Sequence, residues 1–109
     1  MANAFLDPYW RAAVEKESAA HPERAAAIES TCMRCHAPMA HQTATLGGQP
    51  VPRLADAAHD PLARDGVSCT VCHKIEAQNL GTPASFGGGW QIAKSRAITS
   101  EQRAEFGGT

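Results

Sequence analysis

Cys32-Met33-Arg34-Cys35-His36 and Cys69-Thr70-Val71-Cys72-His73 repeat one pattern, Cys-x-x-Cys-His, and together they use all four cysteines of the chain. On a helix, positions i, i+3 and i+4 share a face. Two thiols so placed can each add to a vinyl group of one haem while the following histidine reaches the iron from beneath, which is the attachment pattern of c-type haem. Ile28 lies four residues before Cys32, on the same face, where it can pack on the ring. The motifs predict two covalently held haems c, one on Cys32, Cys35 and His36 and one on Cys69, Cys72 and His73.

Other uses of paired cysteines explain less. An all-cysteine zinc module needs no histidine after each pair, and the pairs here are further apart than in the usual ribbon. A thioredoxin-type redox pair belongs in a βαβ setting, of which the sequence has no sign. Disulfides suit an exported protein but leave both histidines unexplained.

Outward from the motifs, helix starts and stops are marked by proline. Asp7-Pro8 reads as an N-cap with proline at the first helical position, opening a helix to about Ala20 with Trp10, Ala13 and Val14 on one side. His21-Pro22 breaks it. A second helix is expected from Pro22 through the first motif to Ala37-Pro38, and residues 42–53, with Gly47-Gly48, Pro50 and Pro52, are expected to form an irregular loop. A short helical piece follows at 54–59, a cap-then-proline signal recurs at Asp60-Pro61, and Asp65-Gly66 turns the chain into a third helix over 67–77. Beyond Asn79 the glycines and Pro83 indicate loop, with residues 90–92 extended and a last short helix from Ser100. Histidine, proline, helix and motif recur in that order from His21 to His36 and from His59 to His73, a weak internal repeat.

The 109 residues suffice for one domain, 1–109, and are too few for two cores. With much alanine, nine glycines and seven prolines, a core of protein alone would be thin, and a buried macrocycle would fill it. The expected fold is therefore mainly α, with short helices and long loops packed around two haems. A net charge of −1 and the lack of any basic run exclude nucleic acid as a partner class, and no stretch has the roughly 20 apolar residues of a membrane span. Because c-type attachment takes place outside the bacterial cytoplasm, a periplasmic or extracellular location is expected, with the export signal trimmed from the chain as given.

The stretches Cys32-Met33-Arg34-Cys35-His36-Ala37-Pro38-Met39-Ala40 and Asp65-Gly66-Val67-Ser68-Cys69-Thr70-Val71-Cys72-His73 resemble the multihaem cytochromes c, the group that includes cytochrome c554-like electron carriers. Asp7-Pro8-Tyr9-Trp10 and the segment from Leu80 to Gly89 are similar to the amino-terminal part of larger members. The resemblance implies a di-haem portion of such a protein, passing electrons to redox partner proteins, to other cytochromes or to copies of itself.

Three of five histidines remain as distal ligands: His21, His41 and His59. His59 precedes the Gly-Val-Ser-Cys segment, a placement that in similar multihaem proteins supplies a neighbouring haem, so it is assigned to the haem on His36. His21 and His41 compete for the haem on His73, each with the alternative of being a solvated polar residue. Met33 and Met39 read as packing, although Met39 could also reach the second iron and raise its potential. With both irons six-coordinate no substrate position is open, so electron transfer is expected and catalysis is not. The alternative is one five-coordinate haem acting in small-molecule catalysis or gas sensing.

Overall fold

The computed structural model describes residues 1–93 and contains, among them, six α-helices and two 3₁₀ segments, so the fold is mainly α as expected. The last helix expected from Ser100 lies outside the described residues. Helix α1 is Pro8–Ala20. Extended Asp7 (φ −61°, ψ 113°) accepts the Tyr9 N–H on its carboxylate at 2.9 Å, and Pro8 takes the first helical position. Trp10 and Val14, one turn apart, face the core, whereas Ala13 is exposed. The helix ends where His21 (φ −130°, ψ 66°) is pushed out of the helical region by Pro22.

Pro22–Arg24 forms a 3₁₀ turn, and α2 runs only from Ala25–His36, because Arg24 (φ −115°, ψ 0°) interrupts the regular helix. Ala37 (φ −139°, ψ 54°) precedes Pro38 and closes α2 directly after the first motif. The chain restarts at once as α3, Pro38–Leu46. This corrects the loop expected over 42–53: its first five residues are helical, and only 47–53 are irregular. Nothing in Gln42 to Leu46 breaks a helix, and the Thr45 hydroxyl donates back to the His41 carbonyl at 2.9 Å. The stop comes at the Gly47-Gly48 pair, with Gly48 at φ +65°.

Two four-residue helices follow, α4 (Leu54–Ala57) and α5 (Pro61–Arg64), the second capped by the Asp60 carboxylate, which accepts from the Leu62 N–H at 2.9 Å. Helix α6, Cys69–His73, is shorter than the helix expected over 67–77. At its front the Val67 N–H donates to the Met1 carbonyl at 3.2 Å. Behind it residues 74–76 pair with 91–93: Glu76 N–H donates to Gln91 O at 2.8 Å and Ala93 N–H to Lys74 O at 3.0 Å, about an antiparallel bridge between Ile75 and Ile92. The extended chain expected at 90–92 thus takes the backbone partners that a longer helix would have used.

The core gathers Phe5, Trp10, Val14, Met33, Ala37, Ala40, Leu54, Ala57 and Ala63, with Cys32 and Val51 packed against it. Four of these nine are alanines, so the helices approach closely while burying little apolar surface. A charged clasp supplements it. Glu29 of α2, nearly buried, accepts from Arg53 Nε at 2.8 Å, from Arg53 Nη2 at 2.9 Å and from the Leu54 N–H at 2.8 Å, holding the start of α4 against α2. The Arg53 guanidinium keeps the Glu29 carboxyl below its usual range, against the opposing effect of burial and with help from the Leu54 N–H. No helix among the described residues is long and apolar enough to cross a membrane.

Candidate functional site

The first motif occupies the last turn of α2. Cys32 is half-buried against the core, Cys35 is exposed, and His36 is half-buried at the helix end. Its ring is held on two sides. His36 Nδ1 lies 3.0 Å from the Ala4 carbonyl oxygen, and since a carbonyl can only accept, Nδ1 carries the proton. The lone pair is thereby left on Nε2, the tautomer of a metal-ligating histidine whose other nitrogen is tied to a backbone carbonyl. On the ring face lies Trp10, its indole stacked at 4.2 Å between centroids and 4° between planes. Phe5 packs on Trp10 in turn, 5.6 Å away and tilted by 58°.

Cys32 belongs to the same cluster. Burial pushes its thiol up from the usual value, the neighbouring Cys35 adds to that, and the Trp10 indole N–H pulls the other way. Yet Trp10 Nε1 is buried without a hydrogen bond of ordinary geometry, so its contact with Cys32 is a close approach only.

The second motif makes up α6. Val71 anchors it in the protein, and Cys69, Cys72 and His73 are exposed. The segment ahead of α1 joins the two motifs: Ala4 touches His36, Met1 accepts the Val67 N–H, and Gly66 (φ +61°) sits so close that a Cβ there would lie 2.5 Å from the Ala2 carbonyl oxygen. Gly88 (φ +84°) makes a comparable approach to Arg34 inside the first motif, bringing the 3₁₀ segment Pro83–Gly88 onto α2.

The remaining candidate ligands are spread through the molecule. His21 is exposed between Glu17 and Glu23, at 3.6 and 3.9 Å. His41 is buried on α3, with Nε2 3.3 Å from the Ser30 hydroxyl and Nδ1 without a partner. Burial first, and the Arg34 charge second, hold its pKa below the usual value. At 100° per residue, Ser30 and Arg34 lie on the side of α2 opposite Cys32 and His36, so His41 stands away from the first motif. His59 is exposed just beyond α4, its backbone N–H bonded to Asp56 O at 3.0 Å. Met33 is fully buried, the packing role expected of it. Met39 lines a groove of about 290 Å³ with Thr70 and Val71 of α6 and with Lys74 just beyond it, on the face turned away from the two thiols.

None of the four cysteines is in a disulfide, and among the described residues no three His, Cys, Asp or Glu side chains gather into a cluster. The donor set of the motifs fits haem: in each, two thiols stand three residues apart on a helix and a histidine follows, and in the first the His36 Nδ1 is tied to the Ala4 carbonyl. Sequence reasoning had no access to the Ala4 carbonyl, since any residue supplies one. The Trp10 stack has a partial signal, because the sequence places Trp10 and Val14 on one side of α1. Comparison with models of known protein families, with curated proteins and with solved structures found no match for this chain.

Proposed function

We propose that this chain is a di-haem c-type cytochrome that transfers electrons, with one haem held by Cys32, Cys35 and His36 and the other by Cys69, Cys72 and His73. The observation that carries the reading is a complete Cys-x-x-Cys-His set on a helix, twice, with the His36 ring locked in the iron-binding tautomer by Ala4. When bound, the haem supplies a one-electron ferric/ferrous couple; the chain sets its position and the basicity of its ligand. Cys35, Cys69, Cys72 and His73 are exposed, so a macrocycle on either motif lies toward the surface, where electrons enter and leave. This favours small, transient contacts with redox proteins, other cytochromes or a second copy, outside the cytoplasm. In this reading the chain is a portion of a multihaem cytochrome of the cytochrome c554-like kind, and His59 completes the haem on His36.

Denaturing mass spectrometry of protein produced with export and haem ligation tests the proposal. The polypeptide should carry the mass of two haems. Four alkylatable thiols at Cys32, Cys35, Cys69 and Cys72 overturn it.

A further inference from the structure

We infer that Trp10 is a positioning residue for the first haem site: stacked on His36, it fixes the plane of the imidazole and biases the bound iron toward the ferric state. The inference rests on the di-haem reading and deepens it.

Two contacts together define the ring. The bond from Nδ1–H to the Ala4 carbonyl fixes the tautomer and leaves Nε2 free, but a single hydrogen bond still allows the ring to swing about it. The indole at 4.2 Å and 4° removes that freedom, since any tilt of the imidazole drives it into a flat surface. Trp10 is itself immobile: it is 9 % exposed, is braced by Phe5 at 5.6 Å, and sits one turn from buried Val14 on a helix capped by Asp7. The angle of a histidine plane relative to the ring it ligates sets the splitting of the iron d orbitals, so the stack controls a spectroscopic property as well as a position.

The electronic effect follows from the same geometry. An imidazole bound to ferric iron is poorer in electrons than one bound to ferrous iron. The negative face of an indole attracts the poorer partner, as in a cation–π contact. Trp10 therefore favours the ferric state and lowers the potential of this haem alone. The indole turns its buried Nε1–H edge toward the first motif. The edge is placed beside Cys32, whose sulfur forms one thioether.

The test compares Trp10→Leu, Trp10→Phe and fluorinated tryptophan at position 10 in a Trp90→Phe background, each as the haem-loaded full chain. Redox titration should show one of the two couples moving upward in W10L, with the ferrous-to-ferric ratio at a fixed poise rising roughly two- to fivefold for that haem, the scale of an exposed cation–π contact. The g values of one ferric haem should change as well, and the other haem should keep both its potential and its spectrum. W10F keeps an aromatic face and should hold that couple close to its wild-type potential. Fluorinated tryptophan keeps the shape and drains the face of electrons, so it should raise the potential with no change in unfolding temperature, which keeps the test decisive even where W10L folds poorly. Two haems present by mass with both couples and all g values unmoved overturn the role of Trp10 and leave the di-haem reading standing. A chain carrying no haem overturns both.

Discussion

Gly66 shows how much one residue can decide here. Its φ of +61° is a conformation that L-residues adopt at a cost of roughly 1–2 kcal/mol, and the space for a side chain is already filled by the Ala2 carbonyl. Gly81 has φ +82° with nothing within 4 Å of its absent Cβ, so it isolates the backbone cost alone. Gly66→Ala is expected to destabilise the protein by about 2 kcal/mol or more, and Gly81→Ala by about 1 kcal/mol. Denaturant unfolding of the two variants side by side measures the difference, which belongs to the docking of residues 1–6. Equal losses would mean that this docking contributes nothing to stability.

At the scale of elements, the joint between α2 and α4 is polar where much of the rest is apolar. Glu29 satisfies two Arg53 nitrogens and the Leu54 N–H, one of the donors that the start of α4 leaves without a helical partner. Glu29→Gln keeps the shape and removes the charge, with an expected loss of about 1–2 kcal/mol near neutral pH. The folded carboxyl has its pKa lowered from the usual 4.5, so the unfolded chain binds a proton more readily than the folded one between the two values. The contribution of Glu29 is thus fully present above pH ~4.5 and is lost as pH falls through the lowered folded value. Unfolding of wild type and E29Q from pH 7 downward should show the gap closing in that acid window. A gap that stays constant to pH 3 would assign the loss to packing.

At the scale of the molecule, four alanines in a nine-residue core make the protein's own apolar core thin. The three histidines outside the motifs stand in different settings. His41 is committed to Ser30 and to burial, and His21 to two surface carboxylates, whereas His59 is exposed on a short corner between α4 and α5. His59→Ala is expected to turn one haem high-spin and able to bind carbon monoxide, with the other unchanged. Two low-spin haems inert to carbon monoxide would move the assignment to another residue.

The parts legible in the sequence are those governed by local chemistry. Asp7-Pro8, Ala37-Pro38 and Asp60-Pro61 mark helix boundaries because proline restricts its own φ and the residue before it, whatever the rest of the chain does. Both Cys-x-x-Cys-His motifs lie on helices as expected, and the spacing of their thiols on a helix is a local property. Tertiary structure decided what depends on distant partners. Helix α6 is short because Met1 and residues 91–93 claim the backbone groups on either side of it. The tautomer of His36 and the plane of its ring were likewise beyond sequence, since they are set by a backbone carbonyl 32 residues away and by an indole on another helix. A carbonyl has no residue type to betray it, and a stack exists only once two helices have packed.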